Sequence, residues 1–129
     1  MSLIGRLVFV VDDDASIRKA LGRLFRSLGM VVETFASAEE VLHALDHREP
    51  SCLILDLRLP GLSGLELQTQ LAESGRHIPI VIITAHGDEH ARQQALAAGA
   101  FGFLLKPFDE QTLLDAMERT IGTNGLAKS

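Results

Sequence analysis

A single cysteine, Cys52, stands among 129 residues, so no disulfide can form within the chain and a reducing compartment is favoured. Leu53, Ile54 and Leu55 follow it, which reads as a small core side chain. No basic residue adjoins it in sequence to lower its thiol pKa. Long apolar runs are also missing. The longest, from Ala95 to Leu105, is about half of what a bilayer-spanning helix needs. The first residues, Met-Ser-Leu-Ile-Gly-Arg, lack the apolar centre of a signal peptide. A cytoplasmic protein with no membrane partner is therefore expected. Positive charge is not in excess either: the formal net charge of -5 argues against direct nucleic-acid binding, whose surfaces are basic. What remains is ordinary for a soluble globular chain, 47% hydrophobic and 22% charged, at a length that suits one domain with its own core.

Two kinds of segment alternate along the chain. Aliphatic or β-branched runs at Leu7–Asp12, Val31–Phe35, Cys52–Asp56, Ile80–Thr84 and Ala100–Leu104 read as strands. The first, third and fourth are apolar almost continuously, as strands covered on both faces are, and this points to a parallel sheet. Between them lie helical patterns. From Ser16, the residues Ile17, Ala20, Leu21, Leu24, Phe25 and Leu28 follow one helix face, with Arg18, Lys19, Arg23 and Arg26 opposite and Gly29 as a stop. A second helix opens at Ser37 with Glu40 three residues on, the capping-box spacing. A third is expected from about Gly64 to Ser74, a fourth from about Asp88 to Ala98, and a fifth from Asp109 as its cap to about Ile121. Five strands alternating with five helices define an α/β doubly wound fold, flavodoxin-like, with strand order 2-1-3-4-5. Residues 1–121 form the expected domain, and 122–129 read as a flexible C-terminal tail or linker stub.

In such a sheet, ligands bind beyond the carboxyl ends of the strands. Strand one ends in Asp12, Asp13 and Asp14, strand three in Asp56, strand four in Thr84, and Lys106 follows strand five. Strands one and three are expected neighbours, which brings Asp12, Asp13 and Asp56 together. Two carboxylates about 4 Å apart repel by roughly 4 kcal/mol at an effective dielectric near 20, so a proton or a cation must relieve them. An all-oxygen ligand set in a partly solvated pocket suits Mg²⁺, with Mn²⁺ also compatible. A carboxylate beside such an ion can attack phosphorus and form an acyl phosphate, with the Lys106 ammonium and the Thr84 hydroxyl receiving phosphoryl oxygens. Each residue alone has an ordinary reading: Asp13 or Asp14 as a helix cap, Thr84 as a strand end, Lys106 as a solvated charge. Convergence of four strand ends is what favours a site.

The pieces Val-Val-Asp-Asp-Asp (10–14), Asp-Leu-Arg-Leu-Pro-Gly-Leu-Ser-Gly (56–64), Ile-Thr-Ala-His-Gly-Asp (83–88) and Lys-Pro-Phe (106–108) resemble, in this order and spacing, the receiver domain of two-component response regulators. The resemblance covers roughly Leu7 to Ile121 and is nearest to the FixJ-type subgroup. It implies that Asp56 is the phosphoacceptor for the phosphohistidine of a sensor histidine kinase. It implies Mg²⁺ on Asp13 and Asp56, on Asp12 through water, and on the backbone carbonyl of Arg58. Thr84 and Phe103 take the switch positions, Lys106 that of the phosphate-binding lysine, and Lys106-Pro107 that of a cis peptide. The family also implies docking of the kinase's phosphotransfer partner near the first helix, where Arg18 and Lys19 are contact candidates. A homodimer through the face of helix four, strand five and helix five is implied too, and Leu105 enlarges that face if it points outward. The subgroup usually controls transcription through a C-terminal helix-turn-helix domain, which this chain does not contain.

A regulatory phosphoacceptor, rather than an enzyme acting on other molecules, is the leading expectation. An aspartyl-nucleophile phosphohydrolase wants a second carboxylate two residues after the nucleophile, where Arg58 stands instead. A flavin module of the same topology would want a glycine- and hydroxyl-rich phosphate loop where three aspartates lie. A degenerate receiver acting only as an interaction module is the remaining alternative. His86 is expected to border the pocket, His43, His47 and His77 to be surface residues, and His86 with His90 not to form a soft-metal site.

Overall fold

The computed structural model describes residues 3–85 and 89–128, and side chains as far as residue 121. Five strands and five helices alternate: β1 Leu7–Val11, α1 Ala15–Ser27, β2 Val31–Phe35, α2 Ala38–Ala44, β3 Cys52–Asp56, α3 Gly64–Glu73, β4 Ile80–Thr84, α4 Glu89–Ala97, β5 Gly102–Leu105 and α5 Glu110–Lys128. The sheet runs β2-β1-β3-β4-β5, parallel at every pairing. It is the flavodoxin-like order expected of the alternation.

Each strand presents alternate residues to two apolar layers. Phe9, Val11, Leu53, Leu55 and Ile82 pack with Val41, Leu67, Leu71 and Ala95 of α2, α3 and α4. Val8, Val10, Ile54, Val81 and Ile83 pack with Leu21 and Phe25 of α1 and Leu113, Met117 and Ile121 of α5. This double cover is why β3 and β4 are buried along their whole length. The edge strand β2 is only partly buried.

The helix ends follow local chemistry. Asp14 caps α1, accepting the Ser16 amide at 2.8 Å. Ser37 with Glu40, and Ser63 with Glu66, form capping boxes at the starts of α2 and α3. Helices α1, α3 and α4 all close with the same paired turn, in which a glycine takes positive φ. At Gly29 (φ 86°) its own N–H reaches Arg26 O and the Met30 N–H reaches Phe25 O, satisfying carbonyls the helix leaves open.

Boundaries differ from the sequence reading at β5, β1 and α5. Strand β5 starts at Gly102 rather than Ala100, because the Ala100 N–H closes α4 on Ala95 O at 3.1 Å. Strand β1 stops at Val11; Asp12 keeps one ladder bond, to Phe35 O, and then turns. Helix α5 continues to Lys128 rather than stopping near Ile121. Gly122 and Gly125 weaken a helix without forbidding it, and no proline interrupts the segment.

Candidate functional site

The carboxyl ends of β1 and β3 lie side by side, Val11 pairing with Leu55. The residues that follow therefore share one corner. Asp12 is fully buried and Asp56 is 4% exposed, while Asp13 faces solvent. Each of the three offers a carboxylate oxygen, and these oxygens lie within 4.8 Å of one another. Asp12 Oδ1 accepts the Asp14 N–H at 2.9 Å, which holds the turn into α1. The Asp12 carbonyl accepts from Arg18 at 2.7 Å. Asp56 Oδ1 accepts the Arg58 N–H at 3.0 Å; the Arg58 residue itself is exposed.

Lys106 joins the two buried carboxylates. Its Nζ lies 2.6 Å from Asp12 Oδ2 and 3.2 Å from Asp56 Oδ2. Its backbone N–H bonds to Thr84 O at 2.8 Å, so β4 fixes the point from which the side chain reaches. Thr84 is fully buried at the end of β4 and pairs with Leu105. Phe103 is partly buried against the α2–α3–α4 layer, paired with Ile82. The Lys106–Pro107 peptide is cis.

Burial pushes the Asp56 carboxyl above its ordinary range and outweighs the Arg58 N–H, which pulls it down. The charge of Asp12 raises it further and that of Lys106 lowers it. For Lys106 burial works against the charge, but the bond to Asp12 and the two carboxylate charges outweigh it and raise the ammonium pKa. The lysine is thus a fixed cation. With all three aspartates ionised, three carboxylates face the Lys106 ammonium, with the Arg18 guanidinium on the Asp12 carbonyl, and the all-oxygen cluster keeps an excess of negative charge. That is the donor set and charge a hard divalent cation takes.

Asp14, one of the two cap candidates, is the α1 cap and Asp13 is not. Arg18, on the basic side of α1, is half-buried, and its guanidinium holds the Asp12 carbonyl. Its signal was its place one turn into the helix that follows Asp12. Gly64 was legible only as a helix start. A Cβ there would lie 2.5 Å from the Asp56 carbonyl oxygen and 2.8 Å from the Leu57 Cα, so only glycine lets α3 begin against the backbone of Asp56. His86, expected at the pocket rim, lies outside the described residues.

A response regulator receiver domain model matches residues 8–118, and the chain belongs to that family. Nodulation protein W of Bradyrhizobium diazoefficiens is 53% identical over 111 residues, which is 86% of this chain and 49% of that protein. The transcriptional regulatory protein TdiR of Thauera aromatica is 44% identical over 117 residues, 91% of this chain and 52% of its own. Among solved structures, FixJ-N is 35% identical with a TM-score of 0.83, covering 91% of this chain and 94% of that one. The chain spans about half the length of the curated relatives it matches.

Proposed function

We propose that Asp56 accepts a phosphoryl group from the phosphohistidine of a sensor histidine kinase. A carboxylate oxygen of Asp56 attacks phosphorus, the P–N bond breaks, and the imidazole leaves. The observation that carries this reading is the pairing of a nearly buried carboxylate with the Lys106 ammonium at 3.2 Å, beside a second buried carboxylate and an exposed third. Asp12, Asp13, Asp56 and the Arg58 carbonyl would hold Mg²⁺, with Mn²⁺ a substitute. Bound there, the ion neutralises the phosphoryl oxygens that the acidic corner would otherwise repel.

Lys106 then serves twice: it holds Asp12 and Asp56 before transfer and neutralises a phosphoryl oxygen afterwards. The Thr84 hydroxyl supplies a donor to the same group, and Phe103 responds through its pairing beside Ile82. The output face is that of α4, β5 and α5, where Leu105 is 52% exposed. Self-association through this face, and control of transcription through a segment outside this chain, complete the reading. TdiR's description as a transcriptional regulator supports the second. Among the described residues no helix is long and apolar enough to cross a membrane.

The test is incubation with Mg²⁺ and acetyl phosphate, for wild type and Asp56→Asn. Stoichiometric modification of wild type alone, lost on chelating Mg²⁺, supports the reading. Many turnovers per molecule would make the protein a phosphohydrolase, and no modification would leave only an interaction module.

A further inference from the structure

The loop between β3 and α3, residues 57–63, carries the Arg58 carbonyl and is restrained at both ends. The Arg58 N–H is tied to Asp56 Oδ1 at 3.0 Å, and the Gly64 N–H to Leu57 O at 3.1 Å. Between these ends the loop meets a side chain from another element. Glu39, in the first turn of α2, accepts the Leu62 N–H on Oε2 at 3.2 Å, across 23 residues of sequence. Its neighbour Glu40 is occupied differently, accepting the Ala36 and Ser37 amides as the cap of its own helix. Gly61 leaves the space that Glu39 uses: a Cβ there would stand 2.7 Å from Glu39 Oε2, and the residue has φ +72°. A side chain at 61 would push the carboxylate off the loop.

We infer that Glu39 is a positioning residue for the acceptor site, clamping the 57–63 loop to α2 so that the Arg58 carbonyl stays where a cation on Asp56 would need it. The inference rests on the phosphoacceptor reading above. Glu39 is not one of the three clustered aspartates, so its action passes through the Leu62 amide. The bond is charge-assisted but exposed, which sets its worth at the modest end for such bonds.

Three readouts in wild type, Glu39→Ala and Glu39→Gln test it. They are hydrogen exchange at the Leu62 amide without metal, the Mg²⁺ concentration that half-saturates the amide shifts of the acidic corner, and acetyl phosphate labelling at limiting and saturating Mg²⁺. Glu39→Ala is expected to speed Leu62 exchange and to raise the half-saturating Mg²⁺ about fivefold, the loss of one exposed charge-assisted bond. Labelling at saturating Mg²⁺ should stay close to wild type. Glu39→Gln retains an acceptor oxygen and should restore most of both effects, although both variants lose the same charge at the start of α2. A Glu39→Ala protein that matches wild type in exchange and Mg²⁺ response overturns the inference. So does a Glu39→Gln protein as impaired as Glu39→Ala, since charge rather than the bond would then matter. If wild type takes no label while Leu62 exchange still depends on Glu39, the phosphoacceptor reading fails and the positioning role with it, whereas the loop tie stands.

Discussion

At the scale of single residues, the acidic corner is held together by a cation that the chain itself supplies. Lys106 is mostly buried and touches both Asp12 and Asp56. Lys106→Ala should therefore leave two buried carboxylates unpaired and destabilise the metal-free protein by about 2 kcal/mol, below the cost of breaking a fully buried pair because water reaches this one. The same variant should bind Mg²⁺ more tightly, since no ammonium competes for the carboxylates; urea unfolding with and without Mg²⁺ reads both effects. Asp56 gives a pH dependence. Its folded pKa lies above its ordinary 3.8, so between those values the folded state holds the proton better and stability falls as pH rises. Above the folded pKa the cost is constant. Without metal, Asp56→Asn should melt higher than wild type at pH 7, and the difference should vanish as pH falls below 3.8. Added Mg²⁺ should narrow or reverse the order by stabilising wild type alone. The residue types of this corner were legible in the sequence because they end adjacent strands. The partner of Lys106 was not, since its closest contact lies 94 residues away and depends on how a long side chain settles.

At the scale of elements, the loop after β3 and the start of α3 are where backbone packing limits the sequence. Gly64→Ala forces a Cβ against the Asp56 and Leu57 backbone, which cannot swing aside as a side chain would. A loss of about 3 kcal/mol in chemical denaturation is expected, together with weakened Mg²⁺ binding because the Asp56 backbone must move. Ser63→Ala removes only the α3 cap and should cost about 1 kcal/mol with Mg²⁺ binding retained. The contrast separates a helix end from a helix end that also supports the site. Strands β1, β3 and β4 were readable from their unbroken apolar runs, because both faces are covered. The start of β5 was not, because Ala100 and Phe101 suit the end of a helix as well as a strand. The bond that closes α4 on the Ala100 amide decides for Ala100, whereas the Phe101 N–H already reaches Ile80 O at 2.9 Å.

At the scale of the whole molecule, the sheet order places the acidic corner and the exposed Leu105 at the same end of the sheet, with β4 carrying Thr84 between β3 and β5. Leu105 faces outward, the reading that enlarges the α4–β5–α5 face. Beryllofluoride with Mg²⁺ should shift wild type toward a dimer in sedimentation velocity. Lys106→Ala should remain monomeric under the same conditions, because the group that links the phosphoryl oxygens to β5 is gone. A dimer that forms equally in both would separate self-association from the acceptor site. Chemical trapping locates the phosphoryl group on the chain. After reaction with Mg²⁺ and acetyl phosphate, borohydride reduces an aspartyl phosphate to an alcohol that peptide mapping can locate. Reduction at residue 56 alone, requiring both Mg²⁺ and the phosphodonor, is the expected result; reduction at Asp12 or Asp13, or at no residue, would contradict it.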